Sequence, residues 1–317
     1  MAYEYHSADI SIKANVETVL ATVRPQVIIH TASPVALSTN AALYYRVNVD
    51  GTRNLLECAR SIKTVKAFIY TASASVVHDS ISDLIDADES FPVLYVPDQK
   101  EIYSHTKALA DDLVRAANGS GDGMLTVCLR PAGIFGEGDQ NTLRKMIENA
   151  EAGENRFQIG SGKNLFDWTY VGNVAGAHIL AAEALLLRSS SASGTNLPRV
   201  DGEAFFITNG DPMPFWDFVR AIGDAAGFPV DGKDVWVIPK HLGLTLATIV
   251  EWIVWTMSFG METSTMTRGG IRYSCLTRTY RIDKARARLG YKPTVDMNEG
   301  IRRGVDWWVA EKMKKSQ

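Results

Sequence analysis

Lys66-Ala67-Phe68-Ile69-Tyr70-Thr71-Ala72-Ser73-Ala74-Ser75-Val76 decides the fold. Its first half is a short, continuously apolar run, the kind buried on both faces of a parallel sheet. Its second half is small and hydroxylated. That suits a loop at the carboxyl end of a strand, where open α/β sheets bind ligands. Upstream, Gln26 to His30 repeats the apolar run with Val27-Ile28-Ile29, and downstream so does Leu125 to Leu129. Helical patterns fill the intervals. Ile12, Val16, Val19, Leu20 and Val23 recur at helical spacing before Pro25, and Tyr44 to Arg60 and Tyr103 to Ala117 follow suit. This alternation predicts a doubly wound, parallel α/β sheet of Rossmann-like type.

After Pro131 the regularity fades. Ser189 to Pro198 reads as a loop, Ala204 to Thr208 as a late strand, and Pro214 to Gly227 and Leu242 to Met257 as helices. Asp283 to Leu289 reads as a helix stopped by Gly290. Residues 1–131 are expected to form the Rossmann-like unit. Residues 132–317 form a mixed region, with a smaller C-terminal lobe interleaved with the last sheet elements.

The 317 residues can bury a large core, and the net charge of −3 points to no nucleic-acid partner. Positive charge gathers locally at Arg268, Arg272, Arg278 and Arg281, which suits an anionic substrate. Cys58, Cys128 and Cys275 are scattered, form no metal spacing and suit a reducing compartment. Met1 to Ile10 lacks the features of a signal peptide. Leu242 to Met261 is apolar but interrupted by Glu251, a carboxylate costing about 2.5–3.5 kcal/mol at a bilayer centre. It reads as a buried or membrane-surface helix.

Tyr103-Ser104-His105-Thr106-Lys107 places Tyr and Lys on one helix face. A neighbouring ammonium favours the phenolate, so the Tyr103 pKa is expected to fall toward neutrality and allow general acid/base work. Ser73, at the strand end, can hold a substrate oxygen beside Tyr103, with Ser75 as the competing candidate. His30, also at a strand end, reads as a hydrogen-bonded core histidine.

These pieces resemble the extended short-chain dehydrogenases, and within them the 3β-hydroxysteroid dehydrogenase branch. The likeness extends to His30-Thr31-Ala32-Ser33-Pro34, Asn48-Val49-Asp50-Gly51-Thr52, Leu129 to Gly136, Asn164 to Val171, Ile271 to Ser274, and Asp283 through Tyr291. The resemblance implies a catalytic triad of Ser73, Tyr103 and Lys107, with Asn48 in support. It places Asp9, Ala32, Tyr103, Lys107 and Pro131 against NAD or NADP. For Asp9 the competing reading is a cap on the following helix. It seats Phe166 to Val171 under the substrate lobe, where Tyr170 equally reads as core. It implies oxidation of the 3β-hydroxyl of a 4α-carboxy sterol or related triterpenoid to a 3-ketone, with loss of CO2. Arg272 is then a candidate for the carboxylate, or a solvated surface charge. A peripheral site on the cytosolic face of the endoplasmic reticulum membrane, or the cytoplasm, is the implied location. A homodimer is a further expectation.

One part of the pattern is absent. A dinucleotide-binding βαβ needs a Gly-rich turn, and Gly51 is the only glycine before Ser75. The sequence starts where the family's third strand ends, so about two βα units are expected to lie outside it. Val27 to His30 would then be an exposed apolar edge. An ordinary dehydrogenase with a different start, a weakly active or non-catalytic relic, and a cofactor-free sterol-binding scaffold all stay open.

Overall fold

Apolar runs become strands and the intervals become helices, as the alternation demands. The computed structural model describes residues 3–35, 40–119, 123–190, 198–259, 264 and 266–315. Most of the loop at 189–198, and the end of the apolar stretch at 260–261, lie outside the described residues.

The first half runs α1 (Lys13–Val23), β1 (Val27–His30), α2 (Ala41–Tyr44), a π-helical stretch Tyr45–Gly51, α3 (Thr52–Ile62), β2 (Ala67–Thr71), β3 (Leu84–Ala87), α4 (Ile102–Ala116) and β4 (Leu125–Pro131). The second half continues with β5 (Gly133–Phe135), α5 (Thr142–Glu151), β6 (Phe157–Ile159), β7 (Leu165–Phe166), β8 (Trp168–Tyr170), α6 (Val171–Ser190), β9 (Glu203–Ile207) and β10 (Met213–Pro214). It ends with α7 (Phe215–Ala225), β11 (Trp236–Ile238), α8 (Lys240–Met257), α9 (Arg268–Cys275), β12 (Arg278–Tyr280), α10 (Asp283–Leu289) and α11 (Met297–Lys315).

The central sheet has the order β1-β2-β4-β9, with every pairing parallel. Phe68, Tyr70 and Ala72 face α3 and α4 together with Leu56, Ala110 and Val114. Alternate residues Ala67 and Ile69 face the other way, into a core shared with Ala177, Ala181 and Leu185 of α6. This is the period-two alternation of a strand clothed by helices on both sides. Among the described residues no strand pairs with the outer edge of β1, and Ile29 there is 44% exposed.

A second layer holds the sheet β10-β7-β12-β3 and the pairs β11-β6 and β5-β8. Its core is aromatic: Trp168 stacks on Phe218 at 3.9 Å between ring centroids, flanked by Phe135, Phe166 and Phe215. The chain crosses between layers, since β3 joins this sheet while the later β9 joins the central one.

Candidate active site

Three chain segments converge at the carboxyl end of the central sheet. β2 leaves through Thr71 and Ala72 to Ser73, which caps a short 3₁₀ turn over Ala74–Val77. The Ser73 Oγ accepts the Ser75 N–H at 3.2 Å and lies 2.8 Å from the Ser75 Oγ. From the first turn of α4, Ser104 donates its hydroxyl proton to the Ser75 Oγ at 2.8 Å. Ser73, Ser75 and Tyr103 keep partial exposure, while Ser104, Lys107 and Asn48 are buried.

The Tyr103 hydroxyl turns toward Ser73, whose proximity favours the phenolate. The Tyr44 ring meets Tyr103 edge-on at 5.7 Å and donates its own hydroxyl to the Val35 carbonyl at 2.5 Å. The protein mass around Tyr103 dominates: burial pushes its pKa up to about 12 against the Ser73 contribution, and Tyr44 adds to the rise. The expected fall toward neutrality is therefore wrong for this state. The Lys107 Nζ is directed to β2. It donates to the Thr71 carbonyl at 2.5 Å and sits 4.4 Å over the Tyr70 ring. Burial takes its pKa down to about 7, opposed by Cys128 and Asp111. One of its N–H donors is thus spent on β2.

Around this pair are buried polar atoms without partners. The Tyr70 hydroxyl and the Asn48 Oδ1 have none, although the Asn48 Nδ2 donates to the Thr106 Oγ1 at 3.0 Å. His30 behaves as core. Its Nε2 lies 2.9 Å from the Thr52 Oγ1, and burial, reinforced by Lys107, takes its pKa down to about 3. Ala32 is exposed on the loop after β1, and Pro131 ends β4 in the same rim. Asp9 stands apart in the turn before α1. Its carboxylate accepts the Ser11 N–H at 2.9 Å and the Ser11 hydroxyl at 2.7 Å, which hold its pKa down. It caps that turn, not α1, whose cap is Ile12.

The C-terminal arginines do not form one cluster. Arg268 pairs with Glu251 and Arg281 with Asp283, each at 2.6 Å. Arg278 is buried between the Phe166 and Tyr273 rings, and Arg272 stays exposed on α9. Tyr170 packs on Phe135 and donates to the Glu137 Oε1 at 2.8 Å, a core position. Sequence reasoning missed Tyr44, Tyr70 and the Thr71 carbonyl. Only Tyr70, within the strand that decides the fold, gave a signal.

A Rossmann-like sheet with a serine, a tyrosine and a lysine at its carboxyl rim defines a protein of the short-chain dehydrogenase class. The pattern of the 3-beta hydroxysteroid dehydrogenase/isomerase family matches residues 1–239. The chain is 38% identical over 312 residues to the sterol-4-alpha-carboxylate 3-dehydrogenase erg26, decarboxylating, of Schizosaccharomyces pombe, covering 98% of this chain and 85% of that one. It is 37% identical over 304 residues to the Saccharomyces cerevisiae protein of that name, covering 96% and 82%. The chain belongs to the 3-beta hydroxysteroid dehydrogenase/isomerase family. Among solved structures, the UDP-glucose 4-epimerase of Thermus thermophilus in complex with NAD aligns with a TM-score of 0.67 at 20% identity, covering 95% of this chain and 83% of that one. RMD from Pseudomonas aeruginosa complexed with NADPH aligns at 0.68 and 14% identity, covering 98% and 89%.

Proposed function

We propose that the chain oxidises the 3β-hydroxyl of a 4α-carboxy sterol, or of a related triterpenoid, to a 3-ketone with loss of CO2, using NAD or NADP. The observation that carries this is the meeting of the partly exposed Ser73 and Tyr103 hydroxyls at the sheet rim, with Lys107 one turn further along α4. The likeness to the Schizosaccharomyces and Saccharomyces sterol-4-alpha-carboxylate 3-dehydrogenases supports the substrate class.

Tyr103 takes the proton of the reacting hydroxyl while Ser73 donates to the same oxygen. Lys107 stabilises the charge that develops on Tyr103, and Asn48 steadies α4 through Thr106. The dinucleotide, when bound, supplies the acceptor for the hydride leaving C3. The product is a β-keto acid. Its C4–carboxyl bond breaks, CO2 departs, and the bonding pair enters the C3 carbonyl as an enolate. Ser73 and Tyr103 face that oxyanion, and protonation at C4 completes the ketone.

The residues fit one end of the dinucleotide. Lys107 has donors left over beyond its bond to Thr71, and Ala32 and Pro131 share the rim, so these three and Tyr103 would hold the nicotinamide and its ribose. Asp9 is proposed at the adenine end, where its carboxylate retains acceptor positions. No Gly-rich cradle for the diphosphate occurs among the described residues, since no glycine precedes Gly51.

The apolar face of α8 supports a resting place on a membrane surface, with the cytosolic side of the endoplasmic reticulum as the proposed location. Trp252, Trp255 and Met257 are 67%, 61% and 78% exposed, only Gly243 and Ala247 of that helix are buried, and Glu251 is matched by Arg268.

The test is turnover of a 4α-carboxysterol by the purified chain with NAD or NADP, following nicotinamide reduction and CO2 together. Equal amounts of both are expected, and Tyr103→Phe should lose about 100-fold or more. Sterol binding without turnover with either dinucleotide would overturn the dehydrogenase reading and leave a cofactor-free sterol-binding protein.

A further inference from the structure

We infer that Ser75 and Ser104 are positioning residues that fix Ser73 as a hydrogen-bond donor to the reacting oxygen. The inference rests on the dehydrogenase reading and names what makes its serine effective. A hydroxyl has one proton and two lone pairs, so alone it can donate or accept. Ser104 settles the ambiguity from one end. A serine in a helix commonly bonds back to its own backbone, but Ser104 donates across to the Ser75 Oγ at 2.8 Å. That leaves the Ser75 proton for Ser73, 2.8 Å away. The Ser73 Oγ then accepts twice, from the Ser75 hydroxyl and from the Ser75 N–H at 3.2 Å. With both lone pairs engaged, only its proton is left, and it faces Tyr103 and the open rim.

The consequence is directional. A chain of three hydroxyls, each donating to the next, polarises the last one and strengthens its donation. Ser73 can then support an alkoxide, a ketone oxygen or an enolate, but is a poor acceptor from the starting hydroxyl. Catalysis gains where charge grows on the oxygen, which is the difference between stabilising a transition state and merely binding substrate. Tyr44 from α2 meets Tyr103 edge-on, and Tyr70 from β2 lies close enough to feel its charge. The Tyr44 hydroxyl bonds the Val35 carbonyl, and the serine chain is what orders Ser73. Ser104 is only 3% exposed, so its bond to Ser75 competes little with water.

The test reads hydrogen-bond donation directly, without turnover. A 3-keto sterol labelled with carbon-13 at C3 is bound to the chain, and its carbonyl stretch is recorded by infrared difference spectroscopy. The band should shift to lower frequency on binding. Ser75→Ala should return most of the shift toward the free ketone and Ser104→Ala a smaller part, with Ser104→Thr restoring it. Ser104→Ala replaces a helix residue by a better helix former, so the fold is expected to hold. In turnover, the alanine variants should lose about three- to tenfold in kcat with KM little changed, the size of one neutral hydrogen bond. A bound ketone whose band ignores both alanine variants overturns the serine chain and leaves the dehydrogenase reading standing. A chain that binds no ketone overturns both.

Discussion

Replacing Asp111 by alanine tests what holds the Tyr103 helix against the sheet. Asp111 lies one turn beyond Lys107 on α4 and is fully buried. Its carboxylate accepts the Arg130 Nε and Nη2 protons, both at 2.9 Å, and the Arg115 Nε proton at 2.7 Å. Arg130 belongs to β4 and is 2% exposed, so this pair ties helix to strand in a dry place. Burial opposes the Arg130 charge, but Asp111 offsets this and its pKa is raised. Without Asp111 the guanidinium is stranded, at a cost of about 3–5 kcal/mol. Arg115, about a third exposed, adds only a few tenths. The Lys107 ammonium also loses a supporting charge, so its pKa falls further. The assay is guanidinium unfolding of the wild type, Asp111→Ala, Arg130→Met, and the double variant Asp111→Leu with Arg130→Met. Each single change should destabilise strongly and the double should recover most of the loss, because no charge is then left alone. A cost below about 1 kcal/mol for Asp111→Ala, or strict additivity in the double variant, would refute the argument.

Three further outcomes are expected. His30 stays neutral in the fold with its pKa down at about 3, whereas unfolded it titrates near the ordinary 6.5. The unfolded chain therefore gains protons first, and stability present above pH 6.5 is lost as the pH falls toward 3. A His30→Gln series of urea midpoints against pH should show a flatter acid limb, and an unchanged limb contradicts this. Asp167 runs the other way: burial pushes its pKa up to about 6, so the fold is penalised above that pH and relieved as the pH drops through 6 toward the unfolded 3.8. Asp167→Asn should raise the thermal midpoint at neutral pH and lose the advantage near pH 4. Trp252→Glu combined with Trp255→Glu should abolish flotation of the chain with phospholipid vesicles, and unaltered flotation would remove the membrane reading.

The sequence made the central sheet legible because its strands are short, continuously apolar runs, which few other structures tolerate. Val27 to His30 and Ala67 to Thr71 emerge within a residue of their expected ends, and Gly290 closes α10 in the left-handed conformation, with φ 65°. The helix α6 was not legible. Its residues are apolar on nearly all sides and rich in alanine and glycine, so no polar stripe marks the face laid on β2 and β4. The short strands of the second layer are held by pairing across distant segments, which leaves no local pattern. In the site, the tyrosine and lysine showed through their four-residue spacing. The hold of Lys107 on the Thr71 carbonyl did not, because a backbone oxygen has no letter in the sequence.

The π-helical stretch Tyr45–Gly51 sets a rule for tolerated changes of length. An extra residue inside a helical turn rotates everything beyond it by about 100° relative to an ordinary α-helix. Here that offset lets Tyr44, before the stretch, reach Tyr103 while Thr52, after it, reaches His30. Deleting one residue other than Asn48 between Tyr45 and Gly51 would let the segment relax into a regular helix. Every side chain named in the site would still be present, yet one half of the helix would face the wrong way. Along this stretch, length is a stricter requirement than residue identity.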